Sequence, residues 1–235
     1  MKNDRIRLFE NGIQEVDGSI PFGSTNPRLS RSRPRSRAVA DNSFCSAAVD
    51  HKRGFAYFTM MPVLDIIKIP DPLLRRPSAP VERFDGELRR LIDDMFATMY
   101  KAPGVGLAAV QVAVPRRVLV MDIVKDEKEP KRPIAMINPE IVEIVGDEVR
   151  TYEEGCLSIP EVFADVERPN KVRVRYFDAK GKPAELLCVD MLATVVQHEI
   201  DHLNGKLFID YLSKLKRDII IKKLVKAKRE AETVA

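Results

Sequence analysis

Several features are scarce in this chain of 235 residues. It has three cysteines, an odd number without a pairing pattern, which argues against a disulfide scaffold and for a reducing compartment. It has no run of about 18 apolar residues and no apolar secretory core, so we expect no membrane span. Histidine is equally scarce, with three residues, so a pair of histidines at a functional spacing is informative.

Positive charge is concentrated at the two ends of the chain, whereas residues 61–211 carry 21 basic and 26 acidic side chains. Residues 28–37 are a low-complexity stretch rich in Arg and Ser, for which we expect disorder. Residues 1–60 are predicted to be an extension outside the fold. It is a start-site artefact, an organelle transit peptide or an arm that binds nucleic acid. Acidic residues near its start count against the transit peptide.

Helix patterns and strand patterns alternate along the rest of the chain. Asp85 is the predicted N-cap of a helix whose apolar residues recur at helical spacing up to Met99. A second helix is predicted after Asp190, and a basic C-terminal helix over 214–232. Short strands are predicted at 117–123, 134–137, 140–145, 148–152, 171–177 and 184–189.

Two of these strand pairs are predicted to form hairpins. Gly146-Asp147 would turn one pair, and residues 178–182 would turn the other. Because the strands do not follow a βαβ rhythm, the pattern predicts an α+β fold. We expect short, mixed or antiparallel strands around a central helix that carries two histidines.

That helix contains the segment His198-Glu199-Ile200-Asp201-His202. Imidazoles four residues apart on a helix point the same way and can hold one metal ion, and Glu199 is then placed to move protons. Asn204-Gly205 predicts a helix end of the left-handed glycine type. The alternative interpretation is a pair of solvated histidines on a helix face.

A catalytic metal of this kind has three protein ligands and one open position for water. Six residues after His202, where some proteases with this motif place a third histidine, the chain has Phe208. Upstream, Cys156 follows a glycine in a turn-like segment, and a thiolate binds iron, zinc, nickel or cobalt readily. The alternative for Cys156 is a small buried hydrophobe. Cys188, within an apolar run, fits that alternative better.

A third segment, Gly104-Val105-Gly106-Leu107-Ala108-Ala109-Val110-Gln111, has so little side-chain bulk that a substrate can approach its backbone. In this order, the three segments closely resemble the signature motifs of the peptide deformylase family. Those motifs are G-x-G-L-A-A-x-Q, E-G-C-L-S and Q-H-E-x-D-H. The resemblance runs from Pro62 to Lys216.

The resemblance implies an enzyme that removes the formyl group from formyl-methionine at the N-terminus of nascent polypeptides and releases formate. Cys156, His198 and His202 would bind one divalent metal ion. The family generally uses Fe²⁺ in cells, and Zn²⁺, Ni²⁺ and Co²⁺ are alternatives that suit the same ligands.

The resemblance also implies catalytic roles. Glu199 would take a proton from the attacking water and pass it to the leaving amine. The Gln111 amide and the Leu157 backbone N–H would hold the oxyanion. Glu154 and Gln197 would orient the loop and the ligands. The methionine side chain would enter an apolar pocket, for which we expect Gly104, Val105, Gly106, Leu107, Ile159 and Val195, although each is equally explained as core.

On this basis we expect a deformylase catalytic domain over residues 61–212 and a basic segment over 213–235. That segment is either a solvated helix face or a contact with the ribosome surface near the exit tunnel, where RNA attracts cations. We expect a monomer in the bacterial cytoplasm, or in an organelle if residues 1–60 are a transit peptide.

Two other functions stay open. One is an endopeptidase of the HExxH type, which lacks its usual third ligand here. The other is a non-catalytic, ribosome-associated module with a closed structural zinc site, in which Cys188 would be the fourth ligand.

Overall fold

A computed structural model describes residues 62–124 and 128–234 of the protein. The interpretations of residues 1–60 concern residues outside that part. The helices are α1 (Gly86–Lys101), α2 (Met191–Leu203) and α3 (Lys214–Val234). The strands are β1 (Gly106–Ala108), β2 (Val118–Met121), β3 (Ile134–Ile144), β4 (Val149–Cys156), β5 (Ile159–Pro169), β6 (Lys171–Phe177) and β7 (Pro183–Val189). Short 3₁₀ helices cover Pro72–Arg75, Ala109–Val112 and Phe208–Tyr211.

The strands form two antiparallel sheets. Five strands lie in the order β1-β2-β3-β6-β7, and β4 pairs with β5 in a separate two-stranded sheet. Every pairing between named strands is antiparallel. Antiparallel sheets combined with three α-helices confirm the predicted α+β class.

Strand β2 lies between two helices. Successive side chains of a strand point to opposite faces. Val118 and Val120 accordingly pack with α1, whereas Leu119 and Met121 pack with α2. All four residues are fully buried. The helix α2 that carries the histidines is therefore packed against the most buried strand of the sheet.

Helix α1 begins and packs as its sequence predicts. The Asp85 carboxylate accepts hydrogen bonds from the backbone N–H groups of Glu87 and Leu88, which otherwise have no partner within the helix. Leu88, Met95 and Met99 on one face are fully buried. Arg89, Arg90 and Asp93 on the other side are exposed, whereas every residue from Met95 to Met99 is buried, so the C-terminal half of α1 lies within the core.

The β4–β5 hairpin packs on a separate apolar cluster. Val166 of β5 and Leu207, Phe208 and Ile209 are buried there, and Leu224 of α3 packs against them. Cys156 lies at the end of β4 and contacts the same cluster. The hairpin thus brings Cys156 towards the residues that follow α2.

The strand predictions need three corrections. Residues 134–144 form one strand, because Asn138, at φ 50°, bends it without ending it and bonds Val81 through its side chain. The Gly146-Asp147 hairpin is wrong, because β3 pairs with β6 while β4 pairs with β5. Strands β1 and β5 were not predicted. The hairpin from β6 to β7 is confirmed.

The basic C-terminal helix is confirmed over Lys214–Val234. Ile220, Ile221 and Leu224 form its packed side. Within residues 62–124 and 128–234, no helix combines the length and the apolar character that crossing a membrane requires.

Candidate metal centre and active site

Three donor atoms from two elements meet at one point. Cys156 comes from β4, and His198 and His202 from α2, and their ligand atoms all lie within 4.8 Å of one another. The Cys156 Sγ and His202 Nε2 atoms are 3.2 Å apart. Across the part of the chain that the structure describes, this is the one group of three or more such residues that could hold a metal ion. The two histidines and the cysteine, which are far apart in the sequence, therefore meet in one site.

Backbone hydrogen bonds fix the C-terminal end of α2, where the histidines lie. Beyond Asn204, the N–H groups of Gly205 and Lys206 bond the carbonyl oxygens of His202 and Asp201, as in a Schellman motif, and Gly205 has φ 74°. The predicted helix end is therefore confirmed. Asp190 occupies the N-cap position, but its side chain caps nothing and forms an ion pair with Arg150 at 2.9 Å.

Glu154 fixes the ring of His198. Burial alone would raise the pKa of Glu154, but hydrogen bonds from His198 and Arg168 outweigh burial and lower it. The ionised carboxylate only accepts, so His198 Nδ1, at 2.8 Å, carries the hydrogen. The Nε2 atom of His198 is then left for a metal ion.

The pKa values of the two histidines shift in opposite directions. Burial lowers the pKa of His202 well below its usual range, and neighbouring cations lower it further. Burial also lowers the pKa of His198, but hydrogen bonds to Cys156 and Glu154 outweigh it and raise that pKa well above the usual value. Since a metal ligand must be a neutral imidazole, the lowered pKa of His202 favours its ligand form, whereas a metal ion at His198 competes with a proton.

Glu199 is a buried carboxylate beside these donors. It is 4 % exposed, and its Oε2 atom has no hydrogen-bond partner among the described residues. Burial raises the pKa of Glu199 to about 7. A Cβ atom at position 106 would overlap this carboxylate, so Gly106 is the residue that leaves room for it.

Gln111 reaches the same point from the segment after β1. Its Oε1 atom accepts a hydrogen bond from the Ala108 N–H at 2.8 Å, which fixes the amide orientation. Its Nε2 atom then lies 3.5 Å from Cys156 Sγ and 3.2 Å from Ser158 Oγ. Leu157 lies in the turn between β4 and β5, directly after Cys156. Ser158, which is fully buried, was not singled out from the sequence.

A cavity of about 1230 Å³ opens beside these residues. Four of the six residues predicted for the substrate pocket are on its wall: Gly104, Val105, Gly106 and Val195. The other two, Leu107 and Ile159, are 0 % and 1 % exposed and lie in the apolar core. Gln111, Cys156, His198 and Glu199 also line the cavity, so it leads to the donor atoms.

Three further residues complete the surroundings. Gln197 donates to the carbonyl oxygens of Pro169 and Ala193, which ties α2 to the end of β5. Arg168 of β5 forms ion pairs with Glu154 and Asp201 and was missed, because arginine in an unpredicted strand gives no signal of burial. Cys188 is fully buried, and burial raises the pKa of its thiol to about 12. It is not part of the three-residue group.

The donor set fits a divalent metal ion. One thiol group and two imidazoles converge, and a carboxylate with a raised pKa stands beside them. Three protein ligands at a cavity, rather than four in a closed site, are typical of catalytic centres in metal-dependent hydrolases.

Comparisons with known proteins agree with this class. The family model for polypeptide deformylase matches residues 63–218. The peptide deformylase of Brucella suis biovar 1 is 58% identical over 166 residues, which span 71% of this chain and 94% of that protein. The peptide deformylase of Bartonella henselae is 53% identical over 173 residues, spanning 74% of this chain and 97% of that protein.

Solved structures give the same result. A crystal structure of a peptide deformylase from Legionella pneumophila matches with a TM-score of 0.66 and 48% identity, covering 73% of this chain and 98% of that one. This chain therefore belongs to the polypeptide deformylase family. It is an enzyme of a metal-dependent family that removes the N-terminal formyl group from nascent peptides.

Proposed function

We propose that this protein hydrolyses the N-terminal formyl group of formyl-methionyl nascent polypeptides with a bound metal ion and releases formate. The observation that carries the proposal is the buried Glu199 carboxylate beside the Cys156, His198 and His202 donor atoms, which lie within 4.8 Å of one another. A group of metal donors next to a carboxylate that titrates near neutral pH supports hydrolysis.

In this proposal Cys156, His198 and His202 hold one divalent ion. When bound, such an ion lowers the pKa of water and polarises a carbonyl oxygen. The native ion that we propose is Fe²⁺, and Zn²⁺, Ni²⁺ and Co²⁺ suit the same donors. The HExxH helix α2 is then the metal-binding helix of the fold.

Glu199 moves the proton. Its carboxylate takes a proton from the attacking water and delivers it to the amine that leaves from the formyl group. A pKa of about 7 suits both transfers near neutral pH, since the group then accepts and releases a proton with similar ease.

Gln111 and Leu157 hold the oxyanion that develops on the formyl oxygen. The fixed orientation of the Gln111 amide supports this role, because its Nε2 donor already lies beside Cys156. Leu157 supplies its backbone N–H from the turn after Cys156. Donors that are oriented before the reaction stabilise charge without reorganising.

The cavity wall supports a pocket for the methionine side chain. Gly104, Val105, Gly106 and Val195 contact this side chain in our proposal. Leu107 and Ile159, which are buried behind that wall, shape the pocket without touching the substrate.

The catalytic domain that we propose spans residues 61–212, and residues 213–235 form a basic appendage. Lys216, Lys222, Lys223 and Lys226 are exposed on α3, and Lys222 and Lys226 lie opposite its packed side. We propose that this exposed face contacts the ribosome surface near the exit tunnel. We also propose that the enzyme acts as a monomer.

The first experiment measures formate released from a formyl-Met tripeptide by the full chain loaded anaerobically with Fe²⁺. We expect turnover that disappears on chelation and returns with Fe²⁺, and no cleavage of an internal peptide bond. Internal cleavage without formate would favour the endopeptidase instead.

A matched pair of cysteine variants tests the ligand set. We expect Cys156→Ala to lose metal stoichiometry and activity, whereas Cys188→Ala keeps both, because Cys188 lies in the core. Loss of metal from Cys188→Ala alone would favour the closed zinc site and contradict the proposal.

Ribosome contact is tested by charge reversal on α3. The variant with Lys222→Glu and Lys223→Glu should bind ribosomes more weakly than the parent at low salt and still deformylate the free tripeptide. Reversal of Lys180, an exposed residue of the β6–β7 turn, is the control. Equal ribosome affinity in all three proteins would contradict the contact.

A further inference from the structure

A buried cation next to the metal donors has no role in the reaction proposed above. Arg168 of β5 is 3 % exposed, although arginine is almost never fully buried unless it is paired. Its guanidinium lies between the β4–β5 hairpin and helix α2, because its ion-pair partners come from both elements. Such a residue needs an explanation in structure or in function.

The guanidinium holds two carboxylates at once. Its Nε and Nη2 atoms donate to both oxygens of Glu154, the second at 3.1 Å, and its Nη1 atom donates to Asp201 Oδ2 at 2.8 Å. The planar fork of arginine fixes the plane of a carboxylate that it meets with two bonds. The orientation of Glu154 is therefore set by Arg168.

Glu154 passes that orientation to a metal donor. The Glu154 Oε2 atom that receives Nη2 also accepts the hydrogen bond from His198 Nδ1 at 2.8 Å. A chain of hydrogen bonds thus runs from Arg168 through Glu154 to the imidazole ring. Partners of this kind fix the tautomer and the direction of a metal-binding histidine.

The hydrogen bond from Arg168 Nη1 to Asp201 holds the guanidinium itself in place. Asp201 lies on α2 between the two donor histidines, and its Oδ2 atom also accepts from Tyr211 Oη at 2.8 Å. The Tyr211 ring covers the guanidinium, with 4.8 Å between the Arg168 Cζ atom and the ring centroid. Arg168 is therefore held from α2 and from the 3₁₀ helix after it, as well as by Glu154.

We propose that Arg168 is a positioning residue of the metal centre, which sets the direction of the His198 ring through Glu154 and ties β4 to α2 through Asp201. This inference rests on the proposed function only for its effect on turnover. Its effect on metal binding stands on the hydrogen-bond chain itself.

The test is Arg168→Lys in the full chain, which keeps the positive charge and loses the fork. The matched control is Arg175→Lys on β6, where an exposed arginine meets Glu185 at 3.1 Å. Zn²⁺ affinity is measured by competition with a chromophoric chelator. We expect Arg168→Lys to bind Zn²⁺ about 10–100-fold more weakly, while the control matches the parent.

A second measurement separates positioning from mere stability. In the Zn²⁺-loaded parent, the His198 Nδ1–H should give a hydrogen-bonded proton resonance in an NMR spectrum of ¹⁵N-histidine-labelled protein, and the chain has only three histidines. We expect that resonance to shift or broaden in Arg168→Lys. If Arg168→Lys fails to fold, Tyr211→Phe replaces it in both measurements. Tyr211 is exposed and this variant removes only the hydrogen bond to Asp201, so we expect a smaller loss of Zn²⁺ affinity.

Zn²⁺ affinity within twofold of the parent, with an unchanged His198 resonance and only a lower melting temperature, would overturn the positioning role. A parent that binds Zn²⁺ but releases no formate with any metal would instead overturn the proposed function. The two failures are therefore distinguishable.

Discussion

Helices α1 and α2 pack on opposite faces of the same buried strand, yet their buried residues differ in kind. In α1, which the structure describes completely, the one buried polar side chain is Thr98, and its hydroxyl is hydrogen-bonded to the Asp94 carbonyl. In α2, four polar side chains are buried: Thr194, Gln197, Glu199 and His202. Two of those have an unpartnered atom.

The difference in buried polar side chains distinguishes a helix that only packs from a helix that also carries reactive groups. Burial of a polar group without a partner costs free energy, so a helix that only closes a core has no use for such groups. Helix α1 fits that description. Helix α2 has a similar packing surface, but it also carries Glu199 and His202, whose unpartnered buried atoms destabilise the fold and suit hydrolysis. The following variants test this distinction.

The largest effect is expected from Glu199→Gln. Turnover with formyl-Met peptide should fall by about 10²–10⁴, because the proton carrier is removed. Stability of the metal-free protein should rise instead. The pKa of Glu199 is raised from the ordinary 4.5 to about 7 in the folded protein, so its ionisation costs folding free energy increasingly between these pH values and fully above pH 7. Glutamine removes that cost. Melting curves at pH 6 and pH 9 check the sign, since the gain should be larger at pH 9.

A lower melting temperature for Glu199→Gln at pH 9, with full activity, would show that Glu199 is a structural residue. In that case the contrast between the two helices would disappear.

Gln111→Ala tests whether a buried polar group outside α2 also serves the reaction rather than the packing. Loss of the amide donor should lower kcat by roughly 10²–10³ with a smaller change in KM, because the oxyanion exists only after attack. Gln197→Ala removes another buried amide and is the control, for which we expect a loss of stability and a smaller change in kcat. Equal kcat values for both variants would leave Gln111 without a catalytic role.

Met95→Ala tests whether α1 contributes to stability alone. Met95 is fully buried against β2, so its truncation should cost about 2–5 kcal/mol of unfolding free energy. Denaturant unfolding measures this cost. The kcat of the molecules that stay folded should equal that of the parent. A large loss of kcat at low temperature would show that α1 acts on the site.

Asp85→Ala has the smallest expected effect. The backbone N–H of Leu88 is the main cause that lowers the pKa of Asp85, so the cap stabilises the fold above the ordinary aspartate pKa. Stabilisation is lost as pH falls through the lowered value. We therefore expect a melting temperature about 2–4 °C below the parent at pH 7, and a smaller difference at pH 3. A difference that stays constant with pH would contradict the cap.

The elements that local pattern predicted are those with a regular apolar repeat. Helix α1 was predicted from its cap and its apolar spacing, and the β6–β7 hairpin from its alternation. In strand β5 burial alternates, but the residue types obscure it, because apolar Phe163 lies on the exposed side and charged Arg168 on the buried side. The pairing of β4 with β5 rather than with β3 is a long-range choice without a local signal.

The site was predictable where the chemistry depends on local spacing. His198 and His202 stand four residues apart on one helix, so the sequence alone implied their convergence. A run of apolar residues does not tell which side faces a cavity, and Leu107 and Ile159 lie in the apolar core rather than on the cavity wall. Arg168 could not be found at all, since its burial depends on carboxylates 14 and 33 residues away.

The buried strand β2 also has a consequence for slow motions. Its backbone is hydrogen-bonded to β1 and β3 on both sides, so its amide protons should exchange with solvent only through global unfolding. The two donor histidines lie on α2, which packs against β2, so they belong to the part of the fold that opens only on global unfolding. Cys156 belongs to a two-stranded ribbon outside the main sheet, which can open at lower free energy. Metal binding should therefore slow amide exchange most in β4 and β5, where it joins the less stable unit to the more stable one.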